Sequence, residues 1–372
     1  MSDNRPKSRV AIEPRELEQM LRGQVQAVAT HLLPNGREEC GYWRVGSIEG
    51  EPGQSLALNL GGPMRGVWTD FSAPDKSPER SGDLLWLAAR VRFGGNLADA
   101  ISWGISYLGL DGLDPNRLAT RRAEANKAAN DAQQEAAKVA EQRRRSAQNL
   151  YLSARPIPGT AAEAYLVSRG IDLRAVGLDS PGSIKFHPEV YCKEVEKKMP
   201  CMVAGVVNLE GHHVATHRTW IRPDGSGKAG LVEPKKALGK FAGGFIPLWK
   251  GESAQSMRHH KAGEPILVSE GIEDGLTAAM ARPQYRVIAA ISLSNIGALV
   301  LPPDMGPLII LAQRDEKQGA IDALERAVAR HQSAGRDVRL AYPPKGVKDY
   351  NELVDPKSDA GAQDNLWGGV NE

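Results

Sequence analysis

Cysteine is scarce in this 372-residue sequence: Cys40, Cys192 and Cys201 are all there are, and no two of them make a CxxC pair. A disulfide framework is thereby excluded, and a reduced, cytoplasmic setting is expected. Long apolar runs are missing too. None approaches the roughly 20 residues that a membrane helix needs. The opening MSDNRPKSRV also lacks the apolar stretch of a secretory signal, so no membrane partner is expected. Net charge is nearly absent, +2 at pH 7, so the overall balance names no partner and the local distribution of charge has to. No GxxxxGK(S/T) loop occurs, which argues against an attached helicase motor or ATPase. What is present, 41% hydrophobic and 25% charged residues of both signs, is the composition of a soluble folded chain with room for two or three domains.

Residues 1–113 read as a small mixed domain. Short strand-like runs (YWRVGSI, SLALNL, GVWTDFS) are split by Gly and Pro, and two stretches with helical spacing follow, with Asp83 and Asn96 as candidate caps. Residues 114–150 are rich in helix formers and poor in large apolar side chains, so an exposed helical linker is expected. Residues 151–262 read as an α+β subdomain. In it AAEAYLVSRGI is a helix ending at Gly170, and MVAGVVNLEGHHVATHRTWI is two strands around a turn at Glu210 and Gly211. Basic residues collect after that turn. In residues 263–356 the apolar runs ILVS, VIAAIS, LIILA and VRLAY alternate with DGLTAAMA, NIGALVL and GAIDALERAVARHQSAG. Such alternation predicts a mostly parallel sheet flanked by helices. The tail, 357–372, is polar and is expected to be flexible.

Three carboxylates, Glu270, Glu273 and Asp274, crowd the point where ILVS ends. Ligands of such sheets bind beyond the carboxyl ends of the strands. Asp315 follows LIILA by three residues, and Asp349 lies beyond VRLAY. Asp274, four residues after Glu270, can face the same way from a first helical turn. Crowded carboxylates repel, and without a cation some must take up protons. Magnesium resolves the conflict, because it accepts one or two carboxylates and leaves room for phosphate oxygens. Any one of these acids taken singly is better explained as a helix cap; together they point to a metal.

The same residues carry a family resemblance. EGIED resembles the first motif of Toprim domains, with Glu270 and Asp274 at its Glu and Asp. AQRDEKQGAIDAL resembles the second, an Asp-x-Asp before a glycine-started helix. Asp315 stands at its second Asp and Gln313 at its first, and the spacing to Gly319 is one residue longer. GVKDYNEL resembles the segment that closes this site in bacterial-type primases, with Asp349 matching one acid and Asn351 standing where the second is often Asp. Upstream, EGHHVATHRTW and EPKKALGKF resemble the basic subdomain of Toprim primases, with Arg218, Lys235 and Lys236 in matching places. Lys228, between glycines, and Lys240 join them as candidates for holding nucleic acid or triphosphate. The N-terminal region resembles a primase zinc-binding module that lacks its cysteines, with Trp43 and Trp68 in place of a metal cluster. His31 and Cys40 are too few for a closed zinc site, so no zinc is expected.

The resemblance, to Toprim-domain DNA primases of phage or plasmid (mobile-element) type, implies a Toprim-type α/β fold. It further implies synthesis of short RNA primers from ribonucleoside triphosphates on a single-stranded DNA template. Magnesium, or alternatively manganese, would be the cofactor and a separate replicative helicase a partner. Glu270, Asp315 and Asp349 are the implied metal ligands and Asp274 is catalytic with them; Glu270 is alternatively a general base. Two other readings stand beside this one. One is a Toprim metal-dependent nuclease. The other is a catalytically silent module that binds single-stranded DNA or a replication partner, which Gln313 and Asn351 favour.

Overall fold

The computed structural model describes residues 12–356 apart from 40, 63, 74–76, 78–79 and 112–114. The chain divides into two compact units, Met1–Val139 and Ala140–Glu372.

In the first unit α1 (Pro14–Gly23) and α2 (Val25–Leu32) precede five strands: β1 (Arg37–Glu39), β2 (Tyr42–Val45), β3 (Leu56–Asn59), β4 (Trp68–Asp70) and β5 (Ser81–Gly82). These pair in sequence order as an antiparallel meander, and α3 (Leu84–Arg92) and α4 (Leu97–Tyr107) follow. Asp83 accepts the Trp86 N–H at 2.8 Å and Asn96 the Ala98 N–H at 3.0 Å. Both are N-caps that satisfy otherwise orphaned donors. Trp43 and Trp68 are buried among Leu17, Leu33, Leu58 and Leu84. Their indole N–H groups donate to the carbonyls of Leu33 (3.1 Å) and Asp83 (2.9 Å), as buried indoles require. His31 is exposed and rests 5.1 Å from the Tyr107 ring. Cys40, its suggested zinc-ligand companion, lies outside the described residues, as does the tail 357–372.

Helix α5 (Pro115–Ser153) is 39 residues long. Among the described residues no helix is long and apolar enough to cross a membrane.

The second unit holds two sheets. The first combines β6 (Arg155–Pro156), β7 (Ile184–Cys192), β8 (Lys197–Val207), β9 (His213–Trp220) and β10 (Lys235–Gly239), antiparallel in the order β10-β9-β8-β7-β6, with α6 (Ala161–Ser168) packed on it. The turn between β8 and β9 places Gly211 at φ 84°, a left-handed conformation that glycine adopts without penalty. Cys192 and Cys201 are free and buried in a small cluster with Trp220.

The second sheet comprises β11 (Ile246–Lys250), β12 (Ile266–Ser269), β13 (Arg286–Ala289), β14 (Leu308–Leu311) and β15 (Val338–Ala341), in the order β11-β13-β12-β14-β15. All are parallel except β11, which caps one edge antiparallel to β13. Strands β12 and β13 are wholly buried, as central strands of a covered parallel sheet should be, and the buried Arg286 that opens β13 pairs with Glu264 at 2.9 Å. The covering helices are α7 (Ile272–Ala281), α8 (Leu293–Ile296) and α9 (Gln318–Ser333). Leu276 and Ala279 of α7 share a core with Met202 and Ala204 of β8, while Leu324 and Ala327 of α9 pack with Ile296 and Ile310. The expected helix over NIGALVL shrinks to the four-residue α8, Leu293–Ile296, which ends at Gly297, and the Val300 N–H donates to the Gly243 carbonyl at 3.0 Å instead of continuing the helix. A Cβ at Gly275 would collide with Leu248 and Ser269. The glycine thus lets α7 ride close to the sheet, which sets the depth of the acids in its first turn.

Candidate functional site

Strands β12, β14 and β15 are parallel and adjacent, so the residues that follow them emerge at the same end of the sheet. Glu270 leaves β12, Gln313 and Asp315 leave β14, and Asp349 lies beyond β15. Glu270 is pinned through its backbone, whose carbonyl accepts the Ile291 N–H at 2.9 Å. Ile291 sits at φ 77°. A β-branched residue there costs about 1–2 kcal/mol, so tertiary packing must impose that geometry.

Asp274 is buried in the first turn of α7. Its Oδ2 accepts from Gln313 Nε2 at 2.8 Å and its Oδ1 from the Asn351 N–H at 3.1 Å. The segment carrying Asn351 is itself docked. The Asn351 side chain donates to the Arg169 carbonyl at 2.9 Å, Arg169 pairs with Asp355, and a Cβ at Gly170 would strike the Val354 carbonyl. Burial, and next the charge of Asp349, pushes the Asp274 carboxyl up to about 6, against the pull of the Gln313 and Asn351 hydrogen bonds. Burial, followed by the charges of Asp315 and Asp274, likewise raises Glu270. Glu270 is thus within electrostatic reach of Asp315 and Asp274, and Asp274 within reach of Asp349.

Among the described residues no three His, Cys, Asp or Glu side chains stand close enough to hold an ion jointly. Magnesium does not require three. It commonly takes one or two carboxylates and completes its shell with water and phosphate oxygens. Glu270 and Asp315 fit that demand: neither carboxylate accepts a hydrogen bond or joins an ion pair among the described residues. Asp349 has one oxygen occupied by the Glu352 N–H at 3.0 Å.

Asp274 carries a consequence for stability. In chelator, Asp274→Asn is expected to stabilise the folded chain at pH 8 by up to about 3 kcal/mol. A carboxyl that titrates near 6 when folded and near ~3.9 when unfolded costs stability as pH rises between those values. Gln313 can rotate its amide to accept from the new donor. Thermal melts of both chains from pH 4 to 8 test this. The curves should converge at the acid end, and equal stability at pH 8 would refute it.

Glu273 is held by a different set of partners, although its Oε2 and Asp274 Oδ2 both lie within 4 Å of where a Cβ on Gly271 would be. It accepts from the Tyr165 hydroxyl at 2.7 Å and pairs with Lys235 at 3.1 Å and Lys228 at 3.5 Å. Burial opposes its ionisation, but Lys235, Lys228 and Tyr165 outweigh it and hold the carboxyl far below the usual range. His217, buried beside these lysines, is lowered to about 4 by burial and next by Lys235, so it is neutral at physiological pH. Its Nδ1 and the Thr219 hydroxyl are buried without hydrogen-bond partners among the described residues.

The five basic candidates do not form one surface. In the β9–β10 register Lys235 is opposite Thr219, and Lys236 is opposite Arg218. Successive strand residues face opposite ways. Lys235 therefore shares a face with His217 and Thr219, toward Glu273. Lys236 and Arg218 are on the other face, where Arg218 lies 5.0 Å over the Trp220 ring and Lys236 pairs with Glu233 at 2.9 Å. Lys240 is exposed just past the end of β10. Sequence reasoning noted Glu273 only as one acid of a cluster and missed Tyr165, His217 and Thr219. No local signal links Tyr165 to an acid 108 residues away.

Residues 141–248 match a domain of unknown function (DUF7146), and residues 265–360 match the Toprim domain. Comparison with curated proteins gives no match. Among solved structures, the chain is similar to the primase fragment of the bacteriophage T7 primase-helicase protein, at 16% identity and TM-score 0.34 over 54% of this chain and 74% of that one. It is also similar to the Aquifex aeolicus primase (zinc-binding and RNA polymerase domains), at 14% identity and TM-score 0.37 over 91% and 81% of the two chains. A third likeness is to the DnaG primase catalytic domain bound to ssDNA, at 14% identity and TM-score 0.40 over 59% and 76%. With its parallel sheet, its Glu at the end of β12 and its Asp four residues on, the segment 265–360 is a Toprim domain.

Proposed function

We propose that this chain is a primase of mobile-element type, which joins ribonucleoside triphosphates into short primers on single-stranded DNA. The observation that carries the reading is a pair of carboxylates without hydrogen bond or ion pair among the described residues, Glu270 and Asp315, with the charge of Lys235 acting on Glu270. Lys235 interacts electrostatically with Glu270 as well as with its partner Glu273. Magnesium or manganese, held by Glu270 and Asp315 with Asp349 reaching it through water, would neutralise charge on the transferring phosphoryl group. Lys235 and Lys228, tethered on Glu273, hold the triphosphate. Asp274, fixed by Gln313 and Asn351, keeps the start of α7 and the loops after β14 and β15 in register.

Lys236 and Lys240 guide the template from the opposite face and the end of β10. The double variant Lys236→Ala/Lys240→Ala is expected to reduce the slope of log affinity against log salt by about 1.4 on single-stranded DNA, at ~0.7 per phosphate contact. Fluorescence anisotropy at four or five salt concentrations measures this, and an unchanged slope assigns the template path elsewhere. A template-directed assay with labelled ribonucleotides tests the function itself. Extended products support it. Shortened DNA would favour a nuclease, and binding with neither product a silent recruitment module.

A further inference from the structure

The acids of the crevice differ in what already satisfies them. Asp274 has both carboxylate oxygens engaged by neutral donors, one from each of two loops: Gln313 Nε2 at 2.8 Å and the Asn351 N–H at 3.1 Å. It is buried, so water cannot take over either role. Asp349 has one oxygen committed to the Glu352 N–H at 3.0 Å. Glu270 and Asp315 alone of the four make no hydrogen bond or ion pair among the described residues. An amide at position 313 offers a donor hydrogen with no net charge, whereas a carboxylate there could only accept. Asp274 would then face a like charge, and the pair would need either a shared proton, which is disfavoured at pH 8, or a cation between them.

We propose that Gln313 is a positioning residue whose amide stands in for a second cation, so that the crevice takes one divalent ion, between Glu270 and Asp315, rather than two. The inference rests on the metal reading above and concerns this chain's own departure at position 313. It assigns Asp274 to organising the crevice, with no direct bond to the ion. The amide makes the loop after β14 cohere with α7 without metal, so loop order there is independent of metal. Gln313→Asp reverses this. The like-charged pair pushes the loop from α7 until a second ion enters.

The test is manganese binding to the full chain, by calorimetry and by the loss of the free-ion electron paramagnetic resonance signal. One ion per chain is expected for the wild type, two for Gln313→Asp, and none for Glu270→Gln. In chelator Gln313→Asp should melt lower than the wild type, and added manganese should restore the melt. Gln313→Asn, whose shorter amide adds no charge, should still bind one ion, which separates charge from a lost contact. Two ions or none on the wild type, or an unchanged single ion on Gln313→Asp with an unchanged melt, overturns the proposal. Primer synthesis is scored separately. One bound ion without primers would sink the proposed function and leave the role of Gln313 standing.

Discussion

Glu270→Gln is expected to lower primer synthesis about 100-fold or more while making the metal-free protein more stable. The first effect follows from losing one of the two acids, Glu270 and Asp315, that make no hydrogen bond or ion pair among the described residues. A metal that stabilises phosphoryl charge contributes several kcal/mol to the transition state, and a loss of about 3 kcal/mol is more than 100-fold in rate. The second effect has the opposite sign. Burial, then Asp315 and Asp274, raises the Glu270 carboxyl, so its ionised form strains the folded state at neutral pH. A raised folded pKa means that this cost is absent below the unfolded pKa, near ~4.3, and grows as pH rises through the folded value. An amide of the same shape removes it. Activity assays beside thermal melts at pH 8 in chelator decide the matter. Joint loss of activity and stability would mean that Glu270 is structural, and unchanged synthesis would remove it from the mechanism.

Glu273→Ala is expected to destabilise the second unit by about 3 kcal/mol, at the lower end for breaking a buried ion pair because both lysines keep part of their side chains in water. Removing the carboxylate leaves Lys235 and Lys228 beside each other and the Tyr165 hydroxyl without its acceptor. Glu273→Gln, which keeps an acceptor for Tyr165, should lose less. The pH dependence is opposite to that of Asp274 and Glu270. The folded pKa of Glu273 is depressed, so its contribution is present above ~4.3 and fades as pH falls toward the folded value. The gap between wild type and Glu273→Ala should therefore narrow on acidification. Denaturant melts of the second unit at pH 7 and pH 3 measure it. A gap that stays constant would show that shape, not charge, is what Glu273 contributes.

Local signals were sufficient for much of the architecture. The runs ILVS and LIILA became β12 and β14, since short, largely buried apolar runs have few places to go except a covered parallel sheet, and VRLAY became the half-exposed edge strand β15. Asp83 and Asn96 were readable as caps because capping involves only the next three residues. The apolar spacing of NIGALVL suits a longer helix than the four-residue α8 to which it contributes, because the Val300 N–H is taken by the Gly243 carbonyl, a partner distant in the chain that no local pattern reveals. The basic stretch was legible in composition and not in arrangement. A list of Arg218, Lys235 and Lys236 looks like a patch, yet strand alternation sends Lys235 to one face and the other two to the opposite one.

By itself the sequence determined that Glu270, Asp315 and Asp349 follow strands of one sheet, because parallel strands joined by helices deliver the residues after them to one end. Tertiary structure alone decided how each acid is used. Asp274 is claimed by Gln313 and Asn351 and Glu273 by Lys235, Lys228 and Tyr165, while Glu270 and Asp315 keep their oxygens open. The reason is one of range. Strand and helix periodicity act over a few residues and leave a trace in the chain. A carboxylate's charge state and partners are set by whatever lies within a few ångströms, and here those groups come from 38 to 108 residues away.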